Sequence, residues 1–573
     1  MSVLNERVTE WAESNNILAE EQAGFRKGRC PDDQLFIMGE IIKNCRPSPT
    51  YVCFLDVQKA YDRVWRDGLW EKLYGYGIRG KLWRVLRSVY ESVESSVIVN
   101  DRRTRFFNVD VGLRQGCLMS PILFALYING LAEEVKKANL GSRIIRSGVD
   151  RCGILMFADD IALVAESRAD LNRLMNIAYQ YSRKWRFSFN YDKCAVVIFN
   201  NKPAECMTYG KCEVGACYCG YHWELGKSLI RQESSYKYLG IELDTRLSQE
   251  EFRQRVVAKA RVNVSKVWRM GMQHGSLSVK AGVNLHEALV RSVLEYGAVV
   301  GKSAGWDEAE RVQREMGRRI LRCHGKTTNE AVLGELGWWR LQTRREFLKL
   351  KYWFKVCLME DSRLVRQVYL ASREMFMNQR VHNWCYEIYE LLQKYGLVNL
   401  WENEHSIRYP VGMDALTRTL PRVKQYWEAR LVKQVHQIEE GAWKKDMGKK
   451  TKLRTYQTFK QNLVMEKYLL SEKEKKGRYL LTAIRTGTNK LRIETGRWKR
   501  PVEKKEERVC IQCGSGEVED ERHFILCCTQ FQDLRRELFD EVRVTCGVDL
   551  DSVSMGRQWE VLMGGGENQS GEE

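Results

Sequence analysis

The chain has 573 residues, and its 93 Lys and Arg against 74 Asp and Glu give a formal charge of +19. A positive charge of this size suits a polyanionic partner or an anionic membrane surface. The sequence has no apolar run of about eighteen residues and no basic-then-apolar N-terminal signal, which argues against a membrane-spanning or secreted protein. We therefore expect an intracellular protein, in the nucleus or the cytoplasm, that does not bind membranes.

Composition also bounds the architecture. The hydrophobic content of 44% supplies a core, and the length allows about three or four domains. The 18 cysteines are scattered among predicted strands and helices. This scatter favours reduced core residues over a disulfide framework.

The first predicted elements are a helix and a strand. Residues 1–18 carry apolar side chains at helical spacing, which predicts an amphipathic helix. Residues 51–57 form an apolar run typical of a buried strand, with Asp56 at its end. Residues 69–93 have helical periodicity. Residues 97–111 predict a hairpin whose turn is Asn100-Asp101.

Two capping signals mark the next helices. Residues 111–121 form a Gly-bearing turn, and Ser120 and Pro121 are suitable as the N-cap and first residue of a helix. Ser167 with Asp170 predicts the start of another helix that runs to Trp185. Residues 195–199 then predict a short strand.

Adjacent acids, Asp159 and Asp160, lie between two apolar runs. The runs predict buried strands, with Asp-Asp as the two-residue turn of a hairpin. Carboxylates this close raise each other's pKa unless a cation lies between them, so Mg²⁺ is a natural partner. Taken alone, the motif is explained equally well by a solvated turn. Asp56 favours the metal site, because two strand ends that each deliver a carboxylate can hold two hard cations about 3.5–4 Å apart.

Six motifs together resemble the reverse transcriptases of non-LTR, or LINE-type, retrotransposons. In this sequence they are residues 22–29 with Asp33-Gln34, Asp56 with residues 59–62, residues 114–116 with Ser120-Pro121, residues 157–160, residues 190–193 and residues 238–240. All six occur in family order and at family spacing. The resemblance implies an RNA-directed DNA polymerase that adds dNTPs to a DNA primer or target DNA on an RNA template, with two Mg²⁺ ions.

The resemblance also implies an α+β fold: a right-hand polymerase palm with partial fingers and a helical thumb, then a largely helical C-terminal region and a small zinc knuckle. The expected domains are partial fingers over 1–45, the palm over 46–243, the thumb over 244–350, a basic helical linker over 351–504, the knuckle region over 505–550 and a tail over 551–573. The Gly-rich acidic end of the tail is expected to be disordered.

The family has further finger strands, with basic residues that contact the triphosphate, before the motif that begins here at residue 22. We therefore expect an N-terminally truncated chain that binds RNA–DNA hybrid well and extends a primer weakly or not at all.

The resemblance assigns roles to individual residues. Asp56, Asp159 and Asp160 would form the acidic metal-binding cluster, with Asp56 and Asp159 as direct ligands. Lys193 resembles the palm lysine that protonates the leaving pyrophosphate. The residues expected to position the template or the nucleotide are Tyr61, Arg114, Gln115, Gly116, Arg26, Lys27 and Arg29. The ring of Tyr61 resembles the steric gate against a 2′-hydroxyl.

A basic segment follows the predicted thumb. Between Gly441 and Arg508, 21 Lys and Arg against 8 Asp and Glu give a net charge of +13. Cations with interleaved rings are typical of a single-strand nucleic-acid surface, and a solvated helix face is the alternative. The interleaved aromatic residues are Tyr456, Phe459, Tyr468, Tyr479 and Trp498. For the tandem Trp338-Trp339 in the segment before it, buried packing is favoured over base stacking.

The C-terminal region contains a candidate zinc site. Its C-x2-C-x9-H-x4-C spacing supplies three thiolates and one imidazole, and it resembles the zinc knuckle of the same retrotransposon proteins. The expected Zn²⁺ ligands are Cys510, Cys513, His523 and Cys528. Cys527 could replace Cys528, but residues 529–531 match the usual continuation of the family when Cys528 is the ligand. Four cysteines and one histidine within residues 206–222 fit no familiar zinc spacing, so no metal is assigned there.

Two alternatives to the enzyme stay open. One is a retrotransposon remnant that binds nucleic acid but has lost turnover. The other is a zinc-stabilised interaction protein whose basic linker binds RNA while the palm serves as a scaffold. The intact acids favour the enzyme over both.

Overall fold

The computed structural model describes residues 1–144, 151–200, 223–274, 276–379, 381–410, 413, 418–470 and 475–564. The cysteine-rich residues 206–222 and the Gly-rich end of the chain after residue 564 lie outside these ranges.

The chain divides into two compact units. Unit 1 contains Met1–Phe252, Val299–Gly301 and Lys349–Gln425, and unit 2 contains Arg253–Ala298, Lys302–Leu348 and the chain from Tyr426 onward. Residues 349–425, which the sequence analysis placed at the end of the thumb and in the linker, thus pack with the predicted palm.

Unit 1 is built on a six-stranded sheet. Its strands in chain order are Thr50–Asp56, Ile154–Phe157, Asp160–Ala165, Ala195–Phe199, Trp223–Leu225 and Ser228–Gln232. The Thr50–Asp56 strand lies between the Asp160–Ala165 and Ala195–Phe199 strands and is antiparallel to both. Its residues 52–55 are at most 1% exposed, as an apolar run covered on both faces should be.

Helices account for most of the rest of unit 1. They are Ser2–Ser14, Pro31–Asn44, Arg66–Gly75, Gly80–Ser88, Ser120–Ile128, Gly130–Lys137, Arg168–Lys184, Leu364–Gln379, Trp384–Lys394, Asn399–Glu402 and His405–Arg408, with parts of Leu341–Cys357 and Leu420–Gly448. Ser167 caps its helix as predicted, since its hydroxyl accepts a hydrogen bond from the Asp170 N–H. The predicted strand at residues 195–199 is also present. The described part of unit 1 therefore has the predicted α+β character.

Three local predictions in unit 1 need comment. Residues 69–93 form two helices rather than one, and Gly77 between them has φ +105°. Ser120 is not an N-cap, because the helix already begins there and its hydroxyl donates to the Arg114 carbonyl. The hairpin turn at Asn100-Asp101 is confirmed, and both of its residues have positive φ.

A second hairpin lies at the end of the part of the chain that contains the six family-like motifs. Strands Ser235–Tyr238 and Ile241–Asp244 are antiparallel, and Tyr238 pairs with Ile241. The two turn residues between them, Leu239 and Gly240, both have positive φ, which is the geometry of a tight two-residue hairpin.

Unit 2 is helical in its described part. Its elements are most of Glu250–Val267, then Trp268–Met272, Val279–Leu285, His286–Arg291, Ser292–Glu295, Asp307–Leu321, Asn329–Leu336, Thr451–Leu453, Tyr456–Phe459, Lys467–Leu470, Lys475–Arg485, Arg492–Thr495, Gly496–Trp498, Lys505–Glu507, His523–Cys527, Thr529–Phe531, Gln532–Cys546, Leu550–Ser552 and Met555–Leu562, with the rest of the two shared helices. Within the described ranges, every helix is too short or too polar to span a bilayer.

Unit 2 contains a buried ion pair. Arg485 and Glu335 are 1% and 0% exposed, and their side chains approach to 2.9 Å. Glu466 also pairs with Arg485 at 2.9 Å. A Cβ added at Gly334 would lie 2.6 Å from the Tyr456 hydroxyl, so the chain beside Glu335 has no room for a larger residue.

The tandem tryptophans and most of the aromatic residues of the basic segment pack against other side chains. Trp338 is buried and stacks on His286 with 4.2 Å between the ring centroids, while the Trp339 indole donates to His436. Packing of the tandem tryptophans is therefore confirmed. The predicted surface role is wrong for Tyr456 and Phe459, which are buried in the core of unit 2. The exposed rings are those of Tyr479 and Trp498.

Candidate active site and metal centre

The register of the central strands brings three carboxylates together. Asp56 is the last residue of its strand and lies directly opposite Asp160, the first residue of the neighbouring strand. Phe157 pairs with Asp160, so the two-residue turn is Ala158-Asp159. The predicted Asp-Asp turn is therefore wrong by one residue. Asp159 lies at the tip of the hairpin, with Asp160 and Asp56 at the adjoining strand ends.

Burial and the neighbouring carboxylates destabilise the charged forms of Asp159 and Asp160. Burial raises the pKa of Asp160 to about 6, and the charges of Asp159 and Asp56 add to the increase. Burial also raises the pKa of Asp159, with the charge of Asp56 contributing. Such a cluster gains stability from a divalent cation, which removes the repulsion. The donor set therefore fits Mg²⁺.

Lys193 is the cation beside this cluster. Its ammonium lies 3.6 Å from Asp56 Oδ2 and opposes the pKa increase of Asp159 and Asp160. The Asn190 N–H donates to the Asp56 carbonyl at 2.8 Å, and the Lys193 N–H donates to the Asn190 carbonyl at 3.0 Å. The side chain of Lys193 is 66% exposed, so it is accessible to a bound substrate.

Tyr61 also lies near the acids. Its ring stacks on Phe124 with 5.3 Å between centroids. Burial raises the pKa of the Tyr61 hydroxyl to about 12, and the charge of Asp159 adds to this. The Tyr61 carbonyl accepts a hydrogen bond from the Leu113 N–H at 2.7 Å. This bond ties the segment after Asp56 to the Gly-bearing turn.

The Gly-bearing turn presents the other predicted residues to solvent. The Gln115 amide donates to Asp62 Oδ1 at 2.8 Å. Gly116 has φ +81°, and a Cβ there would meet open space. Arg114 is exposed, with its guanidinium carbon 5.9 Å from the centroid of the Tyr90 ring. These three positions are accessible to a template or a nucleotide.

Both arginines of the first motif are paired with glutamates. Arg26 is 7% exposed, and its guanidinium binds the Glu13 carboxylate at 2.7 and 2.8 Å. Arg29 is paired with Glu20. Lys27 is exposed. Contact of either arginine with a triphosphate would require its ion pair to open.

Residues 21–24 form a strap that is hydrogen-bonded to Met156, in the first strand of the acid hairpin. This pairing was not predicted from the sequence. Met156 donates to the Glu21 carbonyl and accepts from the Ala23 N–H, both at 2.9 Å. Gln22 within this strap is fully buried. The sequence signal for this buried segment was an uncharged polar residue and a glycine beside an apolar segment. That signal does not identify the partner strand, which lies more than a hundred residues later in the chain.

The predicted cysteine and histidine ligands also converge. One ligand atom from each of the four residues lies within 4.8 Å of the others: Cys510, Cys513, His523 and Cys528. Cys527 is not a member of this group. Three sulfurs and one imidazole nitrogen are a complete tetrahedral donor set for Zn²⁺.

Neighbouring polar groups prepare this set for a metal. Glu517 Oε2 lies 2.7 Å from Nδ1 of His523, which leaves Nε2 of the ring 3.4 Å from the Cys513 sulfur. A carboxylate behind a metal-binding histidine fixes its tautomer and its orientation. Hydrogen bonds from Ser515 lower the pKa of the Cys513 thiol to about 6. The thiolate form that binds zinc is thus favoured at neutral pH.

Comparison with known proteins bears on the first site. Residues 2–243 match the family described as reverse transcriptase (RNA-dependent DNA polymerase). These residues are therefore similar to a reverse transcriptase domain. The matched region contains the acid cluster, the Gly-bearing turn, Lys193 and the hairpin around Gly240.

Two Drosophila melanogaster proteins are similar over a longer stretch. The RNA-directed DNA polymerase from mobile element jockey is 23% identical over 312 residues, which cover 53% of this chain and 32% of the relative. The probable RNA-directed DNA polymerase from transposon X-element is 24% identical over 341 residues, 58% of this chain and 35% of the relative. The matched part thus spans about a third of the length of these curated relatives. Both names agree with the resemblance to non-LTR reverse transcriptases.

Among solved structures, apo telomerase from Candida tropicalis aligns with 75% of this chain and 59% of its own, at 12% identity and a TM-score of 0.33.

Proposed function

We propose that this chain is the RNA-directed DNA polymerase of a non-LTR retrotransposon, which extends a DNA primer with dNTPs on an RNA template. The observation that carries the proposal is the strand register, which places Asp56 opposite Asp160 and beside Asp159 within a reverse transcriptase domain. The pKa values of Asp159 and Asp160, which burial and neighbouring carboxylates raise, suit a site built for cations.

In this proposal the acids hold the metals and the remaining residues manage substrate and protons. Asp56 and Asp159 are the direct ligands, and Asp160 completes the negative field. Two Mg²⁺ ions bound there would lower the pKa of the primer 3′-hydroxyl and neutralise the triphosphate. Lys193 would donate a proton to the leaving pyrophosphate, since its exposed ammonium is adjacent to Asp56.

Sugar selection is assigned to Tyr61. Its ring is fixed by stacking on Phe124 and lies close enough to Asp159 to feel its charge. A ring held at that place would clash with a 2′-hydroxyl of the incoming nucleotide. Gln115 and Arg114, at the accessible turn, would contact the template and the nucleotide.

The C-terminal region is proposed to be a structural zinc knuckle. Four ligands close the coordination sphere, so no open position for substrate is left. The basic segment before it would bind single-stranded nucleic acid through its cations and through its two exposed rings, those of Tyr479 and Trp498.

A second candidate, a nucleic-acid-binding remnant with weak turnover, is favoured by one observation. Arg26 and Arg29 are both occupied by glutamates, so neither is open to a triphosphate as the fold stands. Each missing charge-assisted phosphate contact would weaken nucleotide binding by about 1.5–3 kcal/mol.

Primer extension separates the two candidates. Purified protein is incubated with a poly(rA) template, a DNA primer and Mg²⁺ over a wide dTTP range. Polymerase function predicts extension that chelation of Mg²⁺ abolishes. Tight binding of the RNA–DNA hybrid with no extension at any dTTP concentration would support the remnant instead.

A further inference from the structure

The side chain of Gln22 is bonded to the turn that carries Asp159. It is 0% exposed, and its Oε1 accepts hydrogen bonds from the Ala158 N–H at 3.0 Å and the Gly24 N–H at 2.8 Å. Its Nε2 faces the Ala158 carbonyl at 3.5 Å. One amide group therefore contacts both backbone polar groups of the residue before Asp159.

This turn needs an external support. Ala158 has φ +59°, a left-handed conformation that side chains with a Cβ adopt at a cost. Strained backbone of this kind persists where the surroundings hold it. The Gln22 amide supplies such a hold, because it can pair with Ala158 only while that conformation is kept.

The backbone of the strap packs directly against the turn. A Cβ added at Gly24 would lie 2.2 Å from the Ala158 nitrogen, so the two backbones are in direct contact. Gly24 does not have a positive φ, which means that its glycine is required for space rather than for conformation. The position of the Ala158 backbone is thereby limited on the strap side.

We propose that Gln22 is a positioning residue that fixes the backbone at Ala158 and so holds the Asp159 carboxylate in register with Asp56. For catalysis this inference rests on the proposed polymerase function. The geometry of the turn, however, can be measured without any activity.

The chain offers a matched control in Gln34. It is also buried, at 1% exposure, and its amide donates to the carbonyls of Glu21 at 2.9 Å and Met156 at 3.2 Å. Gln34 thus binds the same strap and the same strand without a hydrogen bond to the turn. Loss of its amide tests general packing, whereas loss of the Gln22 amide tests the turn.

The experiment compares full-length Gln22→Met and Gln34→Met by amide hydrogen exchange of the peptide that contains residues 157–160. We expect exchange at the turn to be faster by about tenfold or more in Gln22→Met and to stay within about twofold of wild type in Gln34→Met. Gln22→Glu keeps the acceptor for both N–H groups and should retain most of the protection. If Gln22→Met does not fold, exchange of the same peptide is compared between Gln22→Glu and wild type. The proposal would be overturned if the turn in Gln22→Glu lost as much protection as loops far from the turn.

The same variants are assayed for the Mg²⁺ concentration that gives half-maximal primer extension. If Gln22 positions Asp159, the Mg²⁺ concentration for half-maximal extension should be several-fold higher in Gln22→Met and unchanged in Gln34→Met. If wild type extends no primer but only Gln22→Met loosens the turn, the polymerase proposal fails and the positioning role stands. Unchanged exchange at residues 157–160 in Gln22→Met, or equal loosening in both variants, would overturn the positioning role.

Discussion

The two candidate metal sites of this protein are built in opposite ways. The carboxylates of Asp56 and Asp159 come from distant parts of the sequence and meet through strand register. The proposed zinc ligands come from one short segment, between Cys510 and Cys528. Burial and repulsion raise the pKa values of Asp159 and Asp160 at the first site, whereas hydrogen bonds lower the pKa of Cys513 at the second.

On the proposed function, this difference separates a site that would exchange its cations from one that would retain its metal. A cluster of acids with raised pKa values is incomplete without substrate and cation, as a catalytic two-metal site must be. Four converging soft ligands with a supporting carboxylate form a closed site. The predictions that follow test this contrast.

The largest effect is expected for Asp159→Asn. Loss of a metal-binding carboxylate should reduce Mg²⁺-dependent primer extension by at least about a hundredfold, because the charge that holds the cation is gone. Binding of RNA–DNA hybrid, measured by fluorescence anisotropy, should stay within a few-fold of wild type. Asp101→Asn, in an exposed hairpin turn, is the control and should extend normally. Joint loss of binding and extension in Asp159→Asn would mark Asp159 as structural.

At the second site we expect Cys513→Ser to remove zinc. The full-length variant should contain far less than one zinc per chain by elemental analysis, and its thermal unfolding should begin at a lower temperature, since metal binding contributes to folding. Cys527→Ser is the matched control, because Cys527 adjoins a ligand but is not in the group. Equal zinc content in the two variants would remove the knuckle from this account.

We also expect the stability of unit 2 to depend on the buried Arg485–Glu335 pair. Arg485→Met leaves the Glu335 carboxylate buried without its main partner and should destabilise unit 2 by about 3–5 kcal/mol. Arg543→Met removes an exposed pair with Asp549 and should change the stability little, because solvent screens such a pair. Denaturant unfolding measures both variants. A similar small effect in each would show that the buried pair is not central to unit 2.

At the first site, Tyr61→Ala should relax sugar selection. Removal of the ring should raise the ratio of ribonucleotide to deoxyribonucleotide incorporation by about tenfold or more, because the clash with the 2′-hydroxyl is lost. Tyr61→Phe keeps the ring and should select as wild type does. Unchanged selectivity in Tyr61→Ala would contradict the gate assignment.

The smallest effect concerns pH. The pKa of Asp160 in the folded protein, about 6, lies above its usual value of 3.8, so the folded state holds this proton more tightly than the unfolded state. The contribution of Asp160 to stability without Mg²⁺ should therefore fall as pH rises from about 4 to about 6 and stay low above that range. Asp160→Asn should show a weaker decline of melting temperature between pH 4 and pH 7. An identical decline in both proteins would contradict the raised pKa.

Local sequence patterns predicted much of this structure. The strand that ends at Asp56, the Ser167 cap and the convergence of the four Cys and His side chains follow from apolar runs, capping residues and spacing within one segment. The Asp-Asp turn failed by one residue, because Asp is the commoner turn residue while the actual turn uses Ala158 in a left-handed conformation. That choice depends on Gln22, which no local pattern connects to residue 158.

Long-range packing explains the other differences. Tyr456 and Phe459 have basic neighbours in sequence, which suggests a surface, yet both lie in the core of unit 2. Arg26 and Arg29 look available for phosphate until Glu13 and Glu20 are seen beside them. In each case the partner that decides the role comes from the tertiary fold.

The number of divalent cations bound per chain tests the central claim most directly. Mn²⁺ is counted by electron paramagnetic resonance in the presence of an RNA–DNA primer-template and a non-hydrolysable dNTP, and zinc is counted in the same samples. We predict two tightly bound Mn²⁺ ions in the wild type, their loss in Asp159→Asn, and one zinc in both. Wild-type protein that binds the primer-template without Mn²⁺, or Asp159→Asn that binds Mn²⁺ as tightly as wild type, would contradict the proposal that these carboxylates form a two-metal polymerase site.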